Sequence, residues 1–329
     1  MFSRMGIIGI FIVAGLIATS LVILAIRNSN PRELAGHKHA IKACMFIPKS
    51  NKIATMCYQH VRICTRSGGS PLTVSGHAAE LTDIDCNSEG TLLASASKDG
   101  TVKLWDVSSG IEVRSVQVCK KGSVMAVAFH PQGQIIATIS SDGYLRVWDV
   151  STGAMKKQIK AHSQKLLCMS FNRAGDKIAV GSEKDGVAIW RWETKVEPVL
   201  LNDEESGRIN AVAFDPTGKY LATGGKAKLI RIWNLDQQRI DKTLAGHWGM
   251  INAIEFSPDG QRLVSAASDW TIAVWNVSEE REIKRLRKHP SQVMCIDCDF
   301  DSDTILSGGY GKKDGNSGSE KVWKGFLGQ

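Results

Sequence analysis

Residues 101–106 read Thr-Val-Lys-Leu-Trp-Asp, and this run decides the fold because the chain keeps returning to it. It comes back as YLRVWD at 144–149, GVAIWR at 186–191, LIRIWN at 229–234, TIAVWN at 271–276 and, shortened, EKVW at 320–323. The tryptophans Trp105, Trp148, Trp190, Trp233, Trp275 and Trp323 stand 43, 42, 43, 42 and 48 residues apart. Counting back 41 residues from Trp105 reaches Cys64 in VRICTR, a seventh and degenerate copy. A fixed period of this length means one supersecondary unit used over and over. Such arrays offer surfaces more often than reaction centres.

Overlaying the copies shows the unit. An apolar-alternating run comes first: IKACMF (41–46), LTDIDC (81–86), VMAVAF (124–129), LLCMSF (166–171), INAVAF (209–214), INAIEF (251–256) and VMCIDC (293–298). A turn rich in Pro, Asp, Asn and Gly follows, as in FSPDGQ (256–261). Then come a second run (LLASAS, YLATGG, RLVSAAS), a tight turn (KDG, SDG, SDW), the run ending in Trp, and a looser fourth run. Period-two patterning broken by turn residues makes each run an antiparallel strand. Four strands per unit, seven units and no helical periodicity after residue 26 give an all-β, seven-bladed propeller over residues 30–329.

With these runs in phase, the chain resembles WD40-repeat proteins from about residue 32 onward. Gly36-His37, Gly76-His77, Ala161-His162 and Gly246-His247 stand in the GH place, and Trp105-Asp106 and Trp148-Asp149 in the WD place. The resemblance implies a hydrogen-bonded tetrad of His, strand Ser or Thr, turn Asp and Trp within a blade. Blade two matches it with His77, Ser95, Asp99 and Trp105, and blade six with His247, Ser265, Asp269 and Trp275. A buried carboxylate and imidazole are tolerated only when each has a partner. The other blades depart: Gly122-Ser123 replaces the His in blade three, Val180 the hydroxyl in blade four, Lys226 and Lys228 flank the turn of blade five, and blade one has lost its Trp. Two blades are therefore expected to be well tied internally.

The same residue types build hydrolase triads, but a nucleophilic Ser needs an activating base and an open oxyanion site. Here the Ser lies mid-strand in a repeated unit, in two blades at once, which is how a stabilising device looks. No phosphate loop, zinc-spaced His/Cys set or nucleophile elbow occurs. The reading is a non-enzyme with no cofactor, metal or small-molecule substrate. The eight cysteines fill ordinary interior slots. Cys86 and Cys298 stand where Phe129 and Phe256 stand, Cys168 and Cys295 where Ala126 and Ala253 do, and Cys44 where Ile254 does. Cys295 and Cys298 spell C-x-x-C, but three residues apart on a strand they point to opposite faces. Scattered interior thiols point to a reducing compartment.

Residues 6–26, GIIGIFIVAGLIATSLVILAI, carry no charge. As a helix they span about 31 Å, enough to cross a bilayer. A cleaved signal peptide has an apolar region of only about 7–15 residues. Residues 1–29 are therefore read as an uncleaved anchor and short tether. Arg27, Arg32, Lys38 and Lys42 follow the span, against Arg4 and the α-amino group before it, which places the propeller in the cytosol. Arg27 and Arg32 would then lie at the lipid surface. The one glycosylation sequon, Asn276-Val-Ser278, sits at a strand end. The formal net charge of +8 is spread over many blades, with no basic cluster or stacking platform for nucleic acid.

The segment Asn30–Ala35 reads as a fourth strand with no earlier blade to join, while only six residues follow Trp323. The resemblance implies that this N-terminal strand completes the last blade. It also implies that the turn carrying Asp and the loop carrying GH open on one face, the top. Blade six puts Trp248, Met250 and Trp270 there, residue types typical of protein interfaces. The expectation is a membrane-anchored scaffold or adaptor that presents a protein-binding propeller to the cytosol. One N-terminal span before the repeats is similar to anchored WD40 proteins of the endoplasmic reticulum membrane. The alternative is a regulatory subunit, or a propeller resembling GTPase exchange factors of membrane traffic.

Overall fold

The computed structural model describes residues 32–33, 37, 39–202, 207–310 and 318–326. They form seven four-stranded antiparallel sheets. Six sheets take their strands consecutively. In blade six these are Ile251–Phe256, Arg262–Ala267, Ile272–Asn276 and Arg281–Leu286. The seventh takes Val293–Asp299, Thr304–Tyr310 and Gly318–Lys324 from the end of the chain, and Arg32–Glu33 from its beginning. Arg32 pairs with Val322 and Glu33 with Lys321. The described closing strand is thus two residues within the expected 30–35.

Burial explains the sequence pattern of each strand. The second strand of a blade, such as Leu92–Ser97, lies between neighbouring sheets on both faces and is almost wholly buried. It therefore reads as a near-continuous run of small and apolar residues rather than an alternation. The outermost strand, such as Glu112–Gln117, alternates and is largely exposed. Each innermost strand shifts register after its first residue, as between Ile251 and Ala253, a bulge that sharpens local twist. The innermost edge is stitched from blade to blade by side chains. Asn252 donates to the Val293 carbonyl at 2.8 Å, and Asp85 accepts the Phe129 N–H at 2.6 Å. Unpaired backbone groups of an edge strand thereby find partners.

The core is a set of clusters between adjacent blades. Val61, Ile63 and Val74 of blade one pack against Leu81, Leu93 and Trp105 of blade two. Trp148, Trp233, Trp275 and Trp323 plug the equivalent gaps. The junction of blade seven with blade one is built differently. Ile41, Cys44, Phe46, Ile53 and Cys57 meet Cys295, Leu306 and Val322, with Cys64 beside them and no indole.

Among the described residues no helix is long and apolar enough to cross a membrane. The anchor expected at 6–26, the tether and Arg27 lie outside the described residues, as does the side chain of Arg32.

Candidate functional site

In blade two the structure brings all four tetrad residues together. His77 Nδ1 lies 2.9 Å from Asp99 Oδ2 and its Nε2 lies 2.8 Å from Ser95 Oγ, while Trp105 Nε1 donates to the same Oγ at 2.8 Å. A carboxylate only accepts, so Nδ1 carries the proton; Ser95 then donates to Nε2 and accepts from the indole. Burial pushes the Asp99 carboxyl up, but hydrogen bonds from Thr101, His77 and the Ala78 N–H outweigh it and hold it at about 2. Burial also holds the His77 imidazole below its ordinary value, against the pull of Asp99. Blade six repeats the network: His247 to Asp269 at 2.8 Å, His247 to Ser265 at 2.7 Å, Trp275 to Ser265 at 2.8 Å. Ser95 and Ser265 are fully buried, so neither hydroxyl is open to a substrate carbonyl.

The expectation that only two blades are tied needs correction. Blade seven carries three of the four parts: His289 Nε2 lies 2.7 Å from Ser307 Oγ, and Trp323 donates to that Oγ at 2.8 Å. His289 precedes Pro290 and lacks the Gly of the motif, which hid it. Its Nδ1 finds no acceptor among the described residues, and burial pushes its imidazole down to about 3. In blades three and five the indoles of Trp148 and Trp233 donate to Thr138 and Thr223 at 2.9 and 3.0 Å. Blade three replaces the missing His with Arg146, which bonds Ser140 and Asp142. In blade four the buried indole is Trp192, donating to the Gly175 carbonyl at 2.8 Å, whereas Trp190 Nε1 finds no partner among the described residues. Val180 leaves no hydroxyl there, and its carbonyl takes His162 instead.

The blade-six tetrad also shapes the surface above it. Asp269 Oδ2 accepts the Trp248 N–H at 2.9 Å, a charge-assisted bond. Next to it, the Ser268 N–H donates to the Met250 carbonyl at 2.8 Å. Gly249 makes the close approach possible, since a Cβ there would meet the Asp269 N at 2.4 Å. Trp248 is 85% exposed, Trp270 49% and Met250 38%. Trp270 has φ 71°, at the turn position where blades two, three and four place Gly100, Gly143 and Gly186. A left-handed backbone costs a bulky L-residue roughly 1–2 kcal/mol that glycine avoids. Such strain gathers at ligand clamps more than elsewhere. Beside Trp248 opens a cleft of about 490 Å³ lined by Gly246, Asp269, Thr271, Glu282, Arg285 and Arg287. Arg285 bridges Thr271 at 3.0 Å and Glu282 at 2.8 Å. The sequence pattern missed this arginine, because only the sheet register sets the outermost strand against the tetrad. Among the described residues no group of His, Cys, Asp and Glu is placed to hold a metal ion.

Comparison with known proteins agrees with this architecture. A family described as IFT122 first beta-propeller matches residues 40–242, and one described as WD domain, G-beta repeat matches 238–276 and 280–316. The chain is similar to the Target of rapamycin complex subunit LST8-1 of Arabidopsis thaliana, 31% identical over 61% of this chain and 68% of that protein. It is 28% identical to the Transcriptional corepressor LEUNIG_HOMOLOG of the same plant, over 67% of this chain and 27% of the relative. It is 26% identical to the Nuclear distribution protein nudF 2 of Penicillium rubens, over 64% of this chain and 40% of the relative. The chain thus spans less than half the length of the last two.

Proposed function

The chain belongs to the WD40-repeat family of seven-bladed β-propellers, and from that membership we propose that it is a scaffold that captures a protein partner on the top face of blade six. The observation that carries the reading is Trp270, an exposed aromatic held at positive φ beside the still more exposed Trp248. Neither ring is needed by the tetrad beneath, which blade two builds with Ala78 and Gly100 in their places. Large aromatics at a surface centre are the usual anchors of protein interfaces. The relatives' names point the same way: one is a subunit of a complex and one a corepressor. Capture by Trp248 and Trp270 is tested by affinity isolation from detergent-solubilised membranes with the unaltered chain and the Trp248→Ala/Trp270→Gly variant. Loss of the same partner set from a variant that melts normally is the expected result; unchanged capture removes this face.

The proposal extends to placement. The uncharged stretch 6–26 is long enough to anchor the chain, and the basic residues after it favour a cytosolic propeller at the endoplasmic reticulum membrane. The free thiols fit a reducing compartment. Protease added outside intact microsomes should then digest the propeller, and full protection would overturn the orientation.

A further inference from the structure

Cys44 and Cys295 meet across the junction of blade seven with blade one, sulfur to sulfur at 3.1 Å. Both are buried, at 6% and 7% exposure, among Ile41, Leu306 and Val322. Cys295 is third in its innermost strand and Cys44 fourth in the neighbouring one. Blade four offers an internal control. Cys168 fills the same third position and its sulfur also leans on the next blade, 3.6 Å from the Ile209 carbonyl, but the fourth residue across from it is Val212. Gly308 makes the room in blade seven: a Cβ there would come within 2.8 Å of the Cys295 sulfur and 2.5 Å of Ile41.

The position matters as much as the distance. Elsewhere consecutive strands of one chain make a whole blade, whereas blade seven is completed by pairing of Arg32–Glu33, from the other end of the chain, with Gly318–Lys324. If that pairing parts, blade seven can separate from blade one. We infer that Cys44 and Cys295 are a redox modification site, at which a small peroxide converts two thiols into a disulfide that staples the ring shut. One thiol reacts with hydrogen peroxide to give a sulfenic acid and water. The sulfur of the other attacks that sulfenic sulfur, the S–S bond forms, and the hydroxyl leaves with the second thiol's proton as water. Two thiols and one peroxide give one disulfide and two waters; the sulfurs are oxidised and the peroxide oxygens reduced. The sulfurs need approach by only ~1 Å to reach bonding distance. Burial pushes the Cys44 thiol well up, so little thiolate forms and the oxidation is slow, while the enclosure admits a small peroxide and keeps out bulky thiols and protein oxidants. The staple bypasses the strand closure and links residues far apart in the chain, where a cross-link constrains the unfolded state most.

The test treats the full chain in detergent with graded hydrogen peroxide, blocks the remaining thiols and digests without reduction. The expected product is a Cys44–Cys295 cross-linked peptide, with two of the eight thiols lost. Melting should rise by several degrees and return on adding dithiothreitol. Cys295→Ala should abolish both the cross-link and the rise; blades three, five and six already hold Ala126, Ala211 and Ala253 at that position, so the variant should fold. Cys168→Ala should keep both. A cross-link between other cysteines, no cross-link when half-buried Cys64 is oxidised, or a cross-link without a rise in melting would each overturn the staple.

Discussion

Blades two and six share one buried network and carry different surfaces. Each ties His, Ser, Asp and Trp within 2.7–2.9 Å. Above the network, blade two presents Ala78, Glu80 and Gly100, while blade six presents Trp248, Met250 and Trp270. What is common holds the blade, and what differs faces solvent. On the proposed function, the pair separates stability from recognition within one molecule, with the repeated His–Ser–Asp sets holding the blades and the unrepeated apolar trio taking the partner.

The largest effect should fall on recognition alone. Interface tryptophans commonly contribute about 2 kcal/mol or more each. Replacing Trp248 by Ala and Trp270 by Gly should reduce partner capture by at least about a hundredfold. Blade six should melt no lower, since glycine relieves the positive φ of Trp270. The matching Ala78→Val change in blade two should leave capture untouched. Equal losses in the two blades would erase the distinction drawn between them.

The next effect falls on stability in both blades. Asp99→Ala leaves a buried imidazole N–H without its carboxylate acceptor, with only the Thr101 hydroxyl at 3.1 Å to replace it, and frees the Ala78 and Thr101 N–H groups. That should cost roughly 1–3 kcal/mol in chemical denaturation. Asp269→Ala should cost a similar amount and also disorder the Trp248 loop that Asp269 holds. Lys226→Ala, on the turn of blade five, should stay within about 0.5 kcal/mol. A Lys226 effect equal to that of Asp99 would show that the tetrads hold nothing special.

The propeller, its strand closure and the apolar trio were legible because all of them follow the period of the repeat. A residue's phase told which strand it joined and whether it faced a turn. What stayed hidden lies between copies. Glu320 reads as part of a third strand, yet it is 1% exposed where blades one and two bury Val61 and Val102. It meets His37 Nε2 of blade one at 3.0 Å, the nitrogen that faces the Ser in blades two and six, while His37 Nδ1 has no partner among the described residues. Nothing local links residues 37 and 320, nor 44 and 295; the ring must close before they meet. Trp190 keeps the register of the other blade tryptophans, opposite Ile178; with Val180 where their hydroxyl stands, its Nε1 has no partner among the described residues, and Trp192, two residues on, donates instead to the Gly175 carbonyl.

Blade two and this junction should respond to pH in opposite directions. Burial pushes the His37 imidazole down, but contacts with Cys57 and Glu320 and the charge of Glu320 outweigh it and raise it above 6.5. Its contribution is therefore full below pH 6.5 and lost as pH rises through the folded value. His77 is shifted the other way, so its contribution is present above 6.5 and lost as pH falls. The cost of His37→Gln should shrink as pH rises above 6.5, and that of His77→Gln should not. Parallel curves would remove the ionic reading of the junction.

The smallest effect distinguishes the two tetrads themselves. Asp99 is held at about 2 against an ordinary 3.8. A depressed carboxylate stabilises the fold above its unfolded value, and that contribution is lost as pH falls through the folded one. Asp269 is depressed further: burial pushes it up, and hydrogen bonds from His247, Thr271 and the Trp248 N–H more than offset this. Arg285 adds its charge 3.6 Å away. Unfolding of Asp99→Asn and Asp269→Asn is measured against the unaltered chain from about pH 4 down to about pH 2. Both costs should fall across that window, because the unfolded chain takes up the proton there while the folded carboxyls stay charged. At the acid end the cost of Asp99→Asn should be nearly gone, since its folded carboxyl is then taking up a proton too, whereas part of the cost of Asp269→Asn should remain. If no more of the Asp269→Asn cost remains at that end than of the Asp99→Asn cost, Arg285 does not stiffen blade six, and the two networks are electrostatically alike.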